Sequence, residues 1–140
     1  LSAPARKTVK KDDLAVLEPS IGGGEVAVLQ KGVKIFQNRD YVFNELPPEL
    51  TGKHFIRPDI ESSFIVCKEP GTIYALAPDA DGPRRNCYVE YMQSIGFEPA
   101  DFEPFVLFGS DAINKVTVLK KQMKQGDKLV YGKWALVVFK

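Results

Sequence analysis

The chain has 140 residues, 44% of them hydrophobic, and 19 Lys and Arg against 18 Asp and Glu give a formal net charge of +1. A chain of this size forms one globular domain, burying roughly 68–70% of its unfolded surface without needing a metal or a disulfide lattice. Its apolar runs, such as 73–77 and 135–139, fall far short of the about 20 residues that a spanning helix needs, and a single imidazole, His54, excludes His-rich zinc sites and two-histidine relays.

Val, Ile, Phe and Tyr number 36 against 23 for Ala, Leu and Met, so residues suited to a pleated, half-buried surface dominate. Eleven Gly and ten Pro are spread along the chain as turn punctuation. Residues 1–20 read as a flexible N-terminal arm or linker, basic at Arg6, Lys7, Lys10 and Lys11. Residues 21–140 read as the folded domain. The arm holds no apolar stretch of a signal peptide, so an exported protein is expected to have lost its leader.

In chain order, Gly22-Gly23-Gly24 forms an entry and Glu25-Val26-Ala27-Val28-Leu29 the first strand, ended by Lys31-Gly32. Segment 33–37 leads through a polar tip, Asn38-Arg39-Asp40, into Tyr41-Val42-Phe43. Segment 46–52 cannot be a central strand, because Pro47 and Pro48 remove two ladder donors. It is expected to be a connection across the edge or end of a sheet. Strands follow at 53–57, 62–68 and 72–77, the last two joined through Glu69-Pro70-Gly71, a pair of residues suited to a hairpin turn. After a loop at 78–83, segment 87–92 is either irregular or a short helix with Tyr88, Tyr91 and Met92 on one face. Gly96-Phe97-Glu98-Pro99 ends it. The run 105–108 suits a buried strand, 114–120 alternates as a half-buried one, and 128–131 and 133–139 close the chain after a turn at 124–127. About nine or ten strands with turns between them fit an all-β fold, a single antiparallel jelly-roll-like β-sandwich with one short helix near 87–95.

The balanced total conceals segregated charge: residues 1–39 sum to +3, 40–111 to −8 and 112–140 to +6. The C-terminal lysines would attract an anionic polymer, but outward lysines also guard strand edges against pairing. A pI of 7.9 lies below the about 9 expected of a nucleic-acid-binding domain, so no nucleic-acid partner is expected.

Cys67 and Cys87, 20 residues apart, form one disulfide in an exported protein, a loop closure of about 3 kcal/mol, or else remain two buried thiols. Neither carries a nucleophile signature. Asp79-Ala80-Asp81-Gly82 begins like a calcium loop, but Pro83, Arg84 and Arg85 follow where ligands would be needed. No metal and no cofactor are expected. Paired carboxylates such as Asp59/Glu61 and Asp101/Glu103 do not by spacing define a glycosidase cleft, and a small sandwich has little room for one. The chain is therefore expected not to be an enzyme.

Tyr and Trp rings stack on the apolar faces of sugars, while Arg and carboxylates hydrogen-bond hydroxyls. Three groups on or near loops meet that description: Arg39, Asp40 and Tyr41; Arg84, Arg85 and Tyr88; and Tyr131 with Trp134. Core packing is the other role open to Trp134, and it is the role expected of Tyr74 and Tyr91.

The stretch 29–52, with Lys31-Gly32, Asn38-Arg39-Asp40 and Pro47-Pro48, resembles accessory β-sandwich domains of secreted bacterial proteins, often found beside glycan-degrading modules. Segments 69–77, Gly96-Phe97 and 131–139 resemble the hairpin, middle and last strands of that pattern, so the resemblance spans residues 26–139. It implies a secreted, extracellular β-sandwich near glycans. The expectation is a non-catalytic carbohydrate-binding module whose partner is a glycan, the alternative being an assembly module that binds another extracellular protein. The sequence leaves the oligomeric state open.

Overall fold

The computed structural model describes residues 14–19, 25–37, 39–57, 63–78, 87–103, 105–107, 115–131 and 135–139. Among them are β1 (Val16–Pro19), β2 (Glu25–Val28), β3 (Lys34–Phe36), β4 (Arg39–Val42), β5 (His54–Arg57), β6 (Ser63–Glu69) and β7 (Gly71–Pro78). These are followed by α1 (Cys87–Ser94), β8 (Glu98–Pro99), β9 (Phe105–Val106), β10 (Lys115–Met123), β11 (Lys128–Tyr131) and β12 (Leu136–Phe139). A central sheet runs β2-β5-β12-β7-β10-β8, with β9 also on β10; β1-β6-β11 form a second sheet and β3-β4 a two-stranded hairpin. Among the described residues every pairing between these strands is antiparallel, and an isolated parallel bridge joins Leu14 to Thr72. The all-β sandwich expected from the sequence is the fold observed.

β12 explains the layering. Leu136, Val137, Val138 and Phe139 are all buried, since β12 lies between β5 and β7 in a sheet covered on both faces. On the first face, Ile56, Ile73, Ala75, Leu119, Met123, Val137 and Phe139 meet Leu17, Ile65, Cys67 and Leu129 of the second sheet and Met92 of the helix. On the other, Phe55, Leu76, Val116, Val118, Leu136 and Val138 meet Ile35, Phe36, Phe43 and Leu50. Neighbouring residues divide between the two clusters, as Phe55 and Ile56 do, because successive strand side chains point to opposite faces.

Three expectations are corrected. The domain reaches back into the expected arm: Leu14, Ala15 and Leu17 are buried, and β1 pairs with β6. Such apolar residues gain more in the core than in water. Pro70-Gly71 does not close a hairpin, because β6 and β7 lie in different sheets and both edges of β7 are taken by β10 and β12. The pair instead forms a corner that carries the chain between sheets, with Ile65 and Cys67 facing Ile73 and Ala75 across one core. Arg39 and Asp40 belong to β4 instead of a turn tip.

The helix forms, with Met92 buried and Val89, Tyr91 and Ile95 packed against the first-face core. It stops at Gly96, whose φ of 105° is the left-handed cap position, while the Phe97 and Gly96 amides donate to the carbonyls of Met92 and Gln93 at 3.1 Å. The ammonium of Lys121 occupies the space a β-carbon at Gly96 would need. As expected, segment 46–52 is a connection. It buries Leu50, and beyond it the Gly52 amide reaches the Leu29 carbonyl at 2.8 Å, extending the β2–β5 ladder.

Candidate functional site

The β3–β4 hairpin rests on the second face of the central sheet, with Ile35, Phe36 and Phe43 turned inward. Phe43 meets Phe55 edge-on, ring centroids 5.1 Å apart. Arg57 braces the hairpin from β5. Its Nε donates to the Lys34 carbonyl at 2.9 Å, its guanidinium lies 2.9 Å from Glu25 Oε1, and its own carbonyl accepts from Gln37 Nε2 at 3.1 Å. The Arg57 side chain thereby ties β2 and β3 to β5 in charge-assisted bonds, stronger than neutral ones. From this base β4 presents Asp40, Tyr41 and Val42 outward, with Tyr41 40% and Val42 47% exposed. An exposed aromatic beside a carboxylate on a braced strand pair can stack on a sugar ring and accept its hydroxyls.

The other expected groups lie elsewhere. Tyr88 stands on α1 and Tyr131 ends β11, elements joined by the Tyr91 hydroxyl donating to the Val130 carbonyl at 3.0 Å. Both elements cover the first face. The sheet thus separates Tyr88 and Tyr131 from Arg39, Asp40 and Tyr41. Arg84, Arg85, Trp134 and the Asp79–Gly82 turn lie outside the described residues.

Of the two states open to Cys67, the structure shows a free, buried thiol, while the Cys87 side chain lies outside the described residues. Its Sγ donates to the Glu69 carbonyl at 3.0 Å. Burial first, and then the negative charge of Asp127, push the thiol above its ordinary value of 9.0. A buried thiol held protonated is inert packing, not a nucleophile.

One group of polar residues was not singled out from the sequence. Beyond the hairpin on the second face, Tyr74 lies directly opposite Lys120, and Thr72 opposite Gln122. On the far side of β10, Lys120 is opposite Glu98. Tyr74 is half-buried and packs edge-on against Phe102, centroids 5.6 Å apart, while Lys120, Gln122 and Glu98 are exposed. The available signal was alternation: Thr72 and Tyr74 on one strand, Lys120 and Gln122 on another, each two residues apart.

No protein-family model matches the chain, and no curated protein does. Among solved structures it is similar to part of a "GH138 enzyme targeting pectin rhamnogalacturonan II", with a TM-score of 0.58 and 18% identity over 89% of this chain and 16% of that one. It is also similar to part of "a beta-glucuronidase from glycoside hydrolase family 2", with a TM-score of 0.56 and 14% identity over 90% of this chain and 13% of that one. At such identities the likeness establishes the fold, and this chain spans only a small part of each of these glycoside hydrolases.

Proposed function

We propose that the domain is a non-catalytic, extracellular carbohydrate-binding module accompanying a glycan-degrading protein. The observation that carries this reading is the braced hairpin presenting Tyr41 and Asp40 outward. It is supported by the shared fold with segments of two glycoside hydrolases, each of them much larger than this chain. Tyr41 supplies the stacking ring, with Asp40 accepting from hydroxyls beside it. A glycan array that includes pectin fragments and glucuronides, probed with the parent and with Tyr41→Ala, Arg39→Ala and Trp134→Ala proteins, tests it. Salt-resistant binding that falls about tenfold in Tyr41→Ala is expected. A folded parent that binds nothing on the array would refute the carbohydrate reading.

A second reading, an assembly module, has one observation in its favour. Among the described residues β2 ends the central sheet, and its Val26 and Val28 are 47% and 38% exposed. An open edge of this kind accepts a strand from another chain. Strand addition there would be blocked by Val26→Lys, and sedimentation of the parent with and without that change would show it as loss of a larger species.

A further inference from the structure

The second face of the central sheet opens toward one end. Along a single row it passes from buried Phe55 and Val138, through half-buried Tyr74, to exposed Lys120 and Glu98. Directly opposed residues in an antiparallel pair share a face and stand about 5 Å apart, so Tyr74, Lys120 and Glu98 form a line with a rung spacing close to the width of a sugar ring. One rung on, Thr72 Oγ1 donates to Gln122 Oε1 at 3.0 Å, which engages the amide oxygen and leaves the amide NH2 turned to other partners. Lys120 and Glu98 face each other, yet they form no ion pair among the described residues. Both charged ends are therefore available to a ligand.

The line is also rigid. Phe102 packs at right angles to the Tyr74 ring, and its segment is tied to β10 by the Ala100 amide donating to the Val118 carbonyl at 2.9 Å. Strand-borne groups hold a binding geometry better than loop-borne ones.

We propose that this open end is a second sugar-binding surface, separate from the hairpin, and that it takes a neutral pyranose chain. The proposal rests on the carbohydrate reading and adds to it a place and a ligand class. Tyr74 offers the exposed part of its ring, Lys120 and the Gln122 amide donate to hydroxyls, and Glu98 accepts from a vicinal pair. Lys120 and Glu98 cancel in charge between them, so the pair itself exerts no net pull on a polyanion. A purely apolar ligand would strip water from both charges and return no hydrogen bonds. A neutral, hydroxyl-rich ring satisfies every group present.

The test is titration calorimetry with neutral oligosaccharides of glucose, xylose, galactose, mannose and rhamnose, and with polygalacturonate, at about 50 mM and about 500 mM salt. The proteins are the parent, Lys120→Ala, Glu98→Gln, Lys128→Ala and Tyr41→Ala, each first checked for parent-like thermal unfolding. Binding of a neutral oligosaccharide with little salt dependence is expected, weakened about tenfold by Lys120→Ala and by Glu98→Gln. Lys128→Ala, on the outer sheet, should leave it unchanged. If Lys120→Ala and Glu98→Gln bind as the parent does while Tyr41→Ala does not bind, the hairpin is the site and the second surface is overturned. Binding of polygalacturonate alone, abolished by salt, overturns the ligand class. A parent that binds no sugar at all removes both this proposal and the reading it rests on.

Discussion

The two faces of the central sheet are built from the same strands and serve different ends. The first face is closed: the three-stranded sheet and the helix lie over Ile73, Ala75, Leu119, Met123 and Val137, and the polar Cys67 thiol sits among them protonated and internally bonded. The second face is closed only in part. The hairpin and the Pro47–Pro48 connection bury Phe55, Leu76 and Val138, and beyond them Tyr74, Lys120 and Gln122 come to the surface. Strand alternation makes this division of labour available, because Leu119 and Lys120 are neighbours in sequence yet point to opposite faces. One side can be committed to packing while the other presents hydrogen-bonding groups at fixed spacing.

The sharpest way to break the comparison is in the closed part of the second face. Phe55→Ala should cost about 3–5 kcal/mol in urea unfolding, as deep core truncations do, which would show that this face contributes to stability where it is covered. Arg57→Met should cost about 1–3 kcal/mol, since it leaves the Lys34 carbonyl and Glu25 without their partner. Amide exchange should then speed up in residues 34–42 while the β1-β6-β11 sheet stays protected.

Cys67→Ala should cost about 1 kcal/mol at neutral pH and change the pH profile. The folded thiol has a raised pKa, so above the ordinary value of 9.0 the unfolded chain releases a proton that the folded chain keeps. The stability of the parent therefore falls as pH rises from about 9 through the folded value, and part of that slope should be missing in Cys67→Ala. Smallest in stability are Tyr41→Ala and Lys120→Ala, expected within about 0.5 kcal/mol of the parent, although each should weaken sugar binding about tenfold.

How much of this was legible in the sequence depends on which force decided each feature. The strands from 25 to 77 and from 115 to 139 followed from local alternation and turn residues, and local signals govern strand existence. Partnership did not follow: Pro70-Gly71 has the residues of a hairpin turn, but whether β7 pairs with β6 depends on β10 and β12 claiming both its edges. The arm was drawn too long because Leu14 and Leu17 are isolated apolar residues, buried only when β6 lies beside them. Among the binding candidates, Tyr41 was legible as an aromatic within a polar segment. Tyr74 packs against the second-face core, the role expected of it, and only the register against Lys120 shows that it also borders the open end. Cys67 and Cys87 suited a bridge by spacing, which carries no information about where the Cys67 thiol points.

The proposal assigns sugar recognition to the second side of the sheet and packing alone to the first. The most direct test is to titrate the 15N-labelled domain with the neutral oligosaccharide that binds best and follow its amide shifts. The account predicts shifts at 39–42, at 72–74, at Glu98 and at 120–122, with residues 16–19, 63–69 and 128–131 unmoved. Shifts confined to the β1-β6-β11 sheet and the helix would contradict it.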